Sequence, residues 1–240
     1  TVLMIVFNRS NTSPYMVVGG KGADRQPAMQ ENFACKIHLI AVKYTIFNTP
    51  VLESILPKTA RAVLTLLGWR NEGLLPVIPK FVLVAAPHTS NWDLPFTMLM
   101  AFAFRARIHW MGKTSIFRRP FKGFFKWLGG IPVNRSHSSD LVAQSIEEFK
   151  RQDQLILTIA PAGTRKRVER WKSGFYHIAC GADVPIALAF LDYRRKVGGI
   201  GPLIYPSGNF AADMETIRTF YNSVTGKYPA GSMAVDDLKR

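Results

Sequence analysis

The sequence has 240 residues, of which 31 are lysine or arginine and 16 are aspartate or glutamate, giving a formal net charge of +15 at pH 7. Because 48% of the residues are apolar and 20% are charged, the chain can form a buried core and is not a disordered polycation. This charge predicts an anionic partner: nucleic acid, a phospholipid surface or a phosphorylated small molecule. Its two cysteines, Cys35 and Cys180, exclude a disulfide scaffold and a Cys-x-x-Cys zinc site.

The first 50 residues show only weak patterning. The apolar run 2–7 lacks the basic flank and the small-residue cleavage site of a secretory signal, so we expect no signal peptide. No uncharged apolar run approaches the roughly 18 residues of a transmembrane helix, so we expect no membrane span. The predicted organisation is a poorly patterned segment over 1–50, an amphipathic helical segment over 51–69, an α/β domain over 70–225 and a tail over 226–240.

Residues 51–69 carry apolar side chains at helical spacing: Val51, Leu52, Ile55, Leu56, Val63, Leu64 and Leu67. Pro57 predicts a kink or an interruption of this helix. Two interpretations stay open. The helix packs into the core, or it lies on a membrane interface with Lys58 and Arg61 on its polar side.

From residue 81 onward, strand-like runs alternate with helical ones. The pattern predicts strands over 81–85, 107–111, 131–134, 155–159 and 184–191, and helices over 94–104, 120–128, 139–151 and 174–180. An amphipathic helix from Asp213 follows. This alternation is typical of a single α/β domain whose mixed or mainly parallel sheet is flanked by helices.

The first candidate site follows the strand over 81–85, where α/β sheets place ligands. His88 and Asp93 meet there if the loop turns between them and Asp93 opens the next helix. Asp93 would then accept the ring N–H of His88, which leaves the other ring nitrogen as a general base. The alternative is a plain helix N-cap at Asp93 and a hydrogen-bonded loop histidine at His88.

The second candidate is a basic stretch over 94–139 that has no acidic residue. Aromatic residues are interleaved with its eight basic ones, which are Arg105, Arg107, Lys113, Arg118, Arg119, Lys122, Lys126 and Arg135. Three interpretations fit: a nucleic-acid surface, a face on anionic lipid, and an ordinary solvated basic face.

The third candidate follows the strand over 155–159. Gly163 permits close backbone approach, Thr164 has a hydroxyl, and Arg165 can hold a phosphate with two N–H groups. Arg135, after the strand over 131–134, is a second candidate phosphate ligand. Each signal is weak alone, because a Gly-Thr-Arg triplet often occurs without a phosphate site.

Taken together and in this order, these candidates resemble the glycerolipid acyltransferases of the 1-acylglycerol-3-phosphate acyltransferase type. The family's His-x4-Asp motif matches His88 and Asp93, and its Gly-containing strand ending in Arg matches 129–135. Its Pro-Glu-Gly-Thr-Arg motif appears as 161–165, and its Val-Pro-Ile strand matches 184–186. The resemblance covers roughly residues 70–210.

The resemblance implies a reaction. His88 takes the proton from an acceptor hydroxyl, which attacks the thioester of acyl-CoA or acyl-carrier protein, and Asp93 orients His88 and balances its charge. No metal, other cofactor or covalent enzyme intermediate is required. A serine nucleophile at Ser90 is disfavoured, because the Gly-x-Ser-x-Gly elbow is missing.

The resemblance also implies binding roles. Arg135 and Arg165 would hold the acceptor phosphate, with Lys113 as a further candidate. Gly163 and Thr164 are candidates for the oxyanion site or for positioning the acceptor. The expected partners are an acyl thioester, a phosphate-bearing lipid acceptor and an anionic membrane surface, and nucleic acid becomes a distant second. The expected location is the cytoplasmic face of a membrane, peripheral or monotopic.

One position departs from the family pattern. Ala162 stands where the third motif has an acidic residue that the family associates with acceptor binding. Two hypotheses follow: an acyltransferase with an altered acceptor site, or a non-catalytic or weakened member that binds anionic lipid or nucleic acid. Retention of both His88 and Asp93 favours the enzyme.

Overall fold

The structure is a computed structural model that describes residues 44–133, 138–165, 168 and 170–229, without the side chains of residues 138 and 139. Most of the predicted 1–50 segment, Arg135 and most of the 226–240 tail lie outside this part. All described residues belong to one compact unit, residues 37–240.

A seven-stranded sheet forms the centre of this unit. Its strands are β1 (Arg70–Glu72), β2 (Lys80–Ala85), β3 (Ile108–Lys113), β4 (Gly130–Val133), β5 (Leu155–Ile159), β6 (Ile186–Asp192) and β7 (Val197–Ile204). They lie in the order β1-β7-β6-β2-β5-β3-β4. Strands β2 to β6 run parallel, β7 is antiparallel to β6, and β1 is parallel to β7. The carboxyl ends of β2 to β6 therefore share one edge of the sheet, which we call the carboxyl edge.

Helices cover both faces of the sheet. They are α1 (Leu52–Leu66), α2 (Asp93–Phe104), α3 (Lys122–Trp127), α4 (Ser138–Arg151), α5 (Gly174–Ala182) and α6 (Phe210–Tyr221), with short 3-10 helices at Ile46–Asn48 and Thr114–Ile116. Alternate residues of β2 point to opposite faces, because side chains in a strand have a period of two. Phe81 and Leu83 pack on the side of α2, and Val82 and Val84 pack on the side of α4, α5 and α6.

The predicted fold class is confirmed, with a mainly parallel sheet between helices. The predicted strands and helices from residue 81 onward all form, with ends shifted by up to three residues in the described part. The sequence reading missed two strands, β1 and β7. The predicted interruption at Pro57 is wrong, because α1 runs through it. Pro57 lies in the second turn of α1, where its buried ring packs inward.

Helix α1 combines features of both interpretations of residues 51–69. Ala60 and Leu64 are buried against α2 and Trp69. An apolar stripe on the other side is exposed: Val51, Ile55 and Leu66 are 68%, 50% and 86% exposed. None of the helices in the described ranges is both long enough and apolar enough to cross a membrane.

Candidate active site

The predicted site residues lie in segments that leave the carboxyl edge of the sheet. The loop with His88 follows β2, the central strand of the seven-stranded sheet. The turn with Arg165 follows β5, the neighbour of β2, and Lys113 ends β3, one strand further. A polar cluster at this edge follows from the parallel connections, which deliver each strand end to the same side.

His88 and Asp93 form a pair. Nδ1 of His88 lies 3.0 Å from Oδ2 of Asp93, and the two side chains are 30% and 6% exposed. The loop turns so that Asp93 becomes the first residue of α2, as the spacing requires. Asp93 is not a plain N-cap, because its carboxylate accepts backbone N–H groups of preceding loop residues. His88 keeps Nε2 as the nitrogen that Asp93 does not hold.

The carboxylate of Asp93 receives a dense set of hydrogen bonds. Oδ2 accepts the backbone N–H groups of Thr89 at 2.8 Å and Ser90 at 2.9 Å, in addition to His88. Burial alone would raise the pKa of this carboxyl. The hydrogen bonds from His88, the Ser90 backbone and Tyr193 outweigh burial, so the pKa lies below its ordinary value. Asp93 is therefore the anion that keeps a proton on Nδ1 of His88.

Tyr193 was missed by the sequence reading. It follows β6 directly, and its hydroxyl donates to Oδ1 of Asp93 at 2.8 Å. Burial and this hydrogen bond raise the pKa of Tyr193 well above its ordinary value, so the hydroxyl stays a donor. The sequence signal that could have indicated Tyr193 is its position directly after a predicted strand, where α/β sheets place ligands.

Arg165 is connected to the loop of His88. Its guanidinium donates to Oδ1 of Asn91, two residues before Asp93. This contact links the first and third candidates of the sequence. Lys113 is exposed at the end of β3, two strands from β2, and Arg135 lies outside the described residues.

Gly163 and Thr164 lie in the turn after β5. The backbone N–H of Gly163 donates to the carbonyl of Ala160 at 3.0 Å, so in this conformation it serves the turn and does not point at an oxyanion. Thr164 is exposed, and Ala162 is half-buried. Gly163 has a φ of +65°, a left-handed conformation that favours glycine.

An apolar cavity of about 60 Å³ begins at the pair. His88 and Asp93 lie at its polar end. Apolar side chains from β2, β3, β6, β7 and α2 form most of its remaining wall, among them Leu83, Ile108, Leu191, Ile200, Met100 and Phe104. A group held in this cavity would lie between apolar walls next to the imidazole.

The chain after α6 also contacts the loop of His88. The backbone N–H of Tyr228 donates to Oγ1 of Thr89 at 3.2 Å, and a Cβ atom on Gly226 would lie 2.9 Å from the same oxygen. Nζ of Lys227 lies 4.8 Å from the ring centroid of Trp92. Residues 226–228, predicted as the start of a tail, thus help to fix this loop.

The structure also describes the surroundings of Ser90 and of the metal-ligating residue types. Ser90 is 3% exposed, and its hydroxyl accepts the backbone N–H of Trp92 at 3.1 Å. Within the described ranges, no three histidine, cysteine, aspartate or glutamate side chains gather in a way that could hold a metal ion.

Two comparisons with known proteins found a match for this chain. Residues 72–188 match the family described as Acyltransferase, a range that includes the His88 loop and the turn with Arg165. One solved structure is similar over 72% of this chain and 76% of that chain, with a TM-score of 0.50 and 18% identity. It is the 1-acyl-sn-glycerophosphate (LPA) acyltransferase PlsC from Thermotoga maritima. At this identity the likeness shows the fold alone. No protein of curated function matches the chain.

Proposed function

We propose that this chain, of which residues 72–188 match the Acyltransferase family, is a glycerolipid acyltransferase that moves a fatty acyl group from an acyl thioester to a hydroxyl of a lysophospholipid-type acceptor. The default acceptor is 1-acylglycerol-3-phosphate, and the donor is acyl-CoA or acyl-carrier protein. One observation carries the proposal: the His88–Asp93 pair lies at the polar end of an apolar cavity.

The proposed chemistry needs one base. Nε2 of His88 takes the proton from the acceptor hydroxyl while its oxygen forms a bond to the thioester carbonyl carbon. The carbon–sulfur bond then breaks, and the thiolate leaves with the proton from the imidazolium. Asp93 keeps Nδ1 protonated and balances the positive charge on the ring.

The cavity suits the donor. A thioester carbonyl next to His88 places the first methylenes of the acyl chain against apolar walls, where burial of each contributes about 0.8 kcal/mol. The apolar walls also leave water few hydrogen-bond partners in this space, which favours transfer over hydrolysis.

Cations at the carboxyl edge suit the acceptor. We propose that Arg165 holds its phosphate, with Arg135 and Lys113 as further ligands. The contact between Arg165 and Asn91 supports this, because it brings the guanidinium to the loop that carries His88. Thr164 lies in the same turn as Arg165 and is proposed to position the acceptor.

The experiment for this function uses the full chain with labelled acyl-CoA or acyl-carrier protein and 1-acylglycerol-3-phosphate in detergent micelles. We expect labelled phosphatidic acid. Glycerol 3-phosphate and other lysophospholipids serve as alternative acceptors. Ala162→Glu restores the family's acidic residue and is expected to retain or increase transfer, whereas Ala162→Gln controls for side-chain size without charge. Absence of transfer by both the parent chain and Ala162→Glu, with every donor and acceptor, contradicts the enzyme and favours a non-catalytic member.

We also propose that the protein docks on the anionic cytoplasmic face of a membrane, peripherally or monotopically. The segment over 113–124, from the last residue of β3 to the first turn of α3, supports this. It starts at the carboxyl edge and exposes four cations together with Ile116, Phe121 and Phe124, which are 43%, 60% and 51% exposed. Cations bind acidic head groups, and aromatic side chains insert at their depth.

Vesicle sedimentation tests this docking. We expect the chain to bind vesicles that contain anionic lipid, and Phe121→Ser combined with Phe124→Ser to weaken binding about tenfold or more, because less apolar surface is buried. Tyr205→Ser is the control, since Tyr205 is 68% exposed but follows β7 at the opposite edge of the sheet. Salt-sensitive binding to duplex DNA without binding to anionic vesicles contradicts the membrane proposal.

A further inference from the structure

Tyr193 contacts the His88–Asp93 pair but does not belong to the loop in which the pair lies. Three of the four donors described for the Asp93 carboxylate belong to His88, Thr89 and Ser90, which are neighbours in the same loop and move with it. The fourth donor is the hydroxyl of Tyr193, which is 100 residues away in sequence. Tyr193 therefore ties the carboxylate to the end of β6.

We propose that Tyr193 is a positioning residue of the acyl-transfer reaction, which holds Asp93 so that the imidazole of His88 presents Nε2 to the acceptor hydroxyl. The inference rests on the proposed function. Tyr193 thus joins the pair as a third residue, from the end of a neighbouring strand. The hydrogen bonds run from Tyr193 to Asp93 and from His88 to Asp93.

The surroundings of Tyr193 hold its hydroxyl in place. Its backbone N–H donates to the carbonyl of Thr225 at 2.9 Å. Its ring packs edge-on against Trp69, with centroids 5.1 Å apart, and against Phe96 at 5.9 Å. The preceding Asp192 is fully buried and accepts the backbone N–H groups of Arg194 and Arg195, which fixes the turn after β6.

This anchoring matters because the terminal torsion of an aspartate side chain is soft. With Oδ1 held by Tyr193, rotation of the carboxylate is blocked, and Oδ2 stays directed at Nδ1 of His88. Without the hydroxyl, the described hydrogen bonds to the carboxylate all come from its own loop, so its orientation follows the motions of that loop. The ring of His88 then samples orientations in which Nε2 misses the acceptor, and a small misplacement of a catalytic group costs rate.

The test is Tyr193→Phe, which removes the hydroxyl and keeps the ring packing. We expect kcat to fall roughly tenfold, the equivalent of one hydrogen bond to a charged group, and KM to stay within about twofold because acceptor binding is not touched. We also expect the Nδ1–H proton of His88, observed by NMR in protein labelled with 15N-histidine, to exchange faster with water.

Tyr176→Phe is the matched control. Tyr176 is buried and, like the half-buried Tyr193, donates to an aspartate, in this case Asp213 at 2.7 Å, but this bond joins α5 to α6. Its loss is expected to lower the melting temperature without changing kcat or the His88 resonance. Parent-like kcat and resonance in Tyr193→Phe overturn the proposal, as does the same change in both variants. If the parent chain transfers no acyl group, the proposed function fails, and the resonance alone still decides the role of Tyr193.

Discussion

His88→Ala is expected to lower acyl transfer by about 10²–10⁴-fold, the usual contribution of a general base. The substitution removes Nε2, the atom that we propose takes the proton from the acceptor. His88 is 30% exposed and contacts Asp93 at 3.0 Å, so the loss of packing is small and the fold should persist. The measurement is the initial rate of phosphatidic acid formation, with circular dichroism to verify folding.

The matched control is His177→Ala, because His177 is exposed on α5 and has no contact with the pair. It should transfer at the parent rate. A His88→Ala variant that is folded and as active as His177→Ala would show that the base lies elsewhere.

Asp93→Asn is expected to cost a comparable factor, about 10²–10⁴, because an amide neither balances the imidazolium nor fixes the tautomer of His88. The loop should survive the change. The amide oxygen can accept the backbone N–H groups of Thr89 and Ser90, while its NH₂ faces the hydroxyl of Tyr193, which can accept.

The stability of Asp93→Asn should depend on pH in a defined direction. The pKa of Asp93 is lowered in the folded protein, so its carboxylate adds stability above the unfolded pKa of about 3.9. That contribution is lost as the pH falls through the folded value. The difference in unfolding free energy between parent and variant, about 1–3 kcal/mol near neutral pH, should therefore shrink below pH ~4.

Asp213→Asn serves as the control for this experiment. Asp213 is 8% exposed and accepts hydrogen bonds from Tyr176 and Ser207. Burial alone would raise the pKa of its carboxyl, but these hydrogen bonds outweigh burial and lower the pKa, as at Asp93. We expect a similar pH-dependent loss of stability with transfer retained. Loss of transfer in Asp213→Asn at temperatures where it is folded would mean that general destabilisation explains the effect at Asp93.

Local patterns in the sequence were sufficient for most of the fold. The buried run over 155–159 predicts β5 with its observed bounds, because a strand buried on both faces is continuously apolar. The polar loop after β2 likewise predicts where His88 and Asp93 lie, since both belong to one turn. These features depend only on residues that are near each other in sequence.

Strand β7 was missed because glycines interrupt its apolar pattern. Gly198 and Gly199 weaken the strand pattern, yet a Cβ on Gly199 would lie 1.9 Å from the carbonyl oxygen of Glu72, and one on Gly198 would lie 2.5 Å from Met100. These glycines are required by the approach of β1 and α2, elements far away in sequence. A local sequence pattern cannot indicate such a requirement. Strand β1 was missed because it consists of three exposed residues and has no apolar pattern.

The contacts between site residues on different strands could not be predicted from the sequence for the same reason. Tyr193 meets Asp93 only because β6 lies beside β2, and Arg165 meets Asn91 only because β5 lies on the other side. The order of strands in the sheet determines both contacts, and the sequence pattern predicted strands without their order.

The central claim is that the His88–Asp93 pair activates the acceptor hydroxyl directly. The most direct measurement follows CoA release and protein labelling when the full chain meets labelled acyl-CoA, first without acceptor and then with 1-acylglycerol-3-phosphate. We expect no acyl-protein and little free CoA before the acceptor is added, and then one CoA released per ester formed. Direct activation would be contradicted by an acyl-protein that accumulates without acceptor, on Ser90 or elsewhere. It would also be contradicted by CoA release at a rate that does not depend on the acceptor.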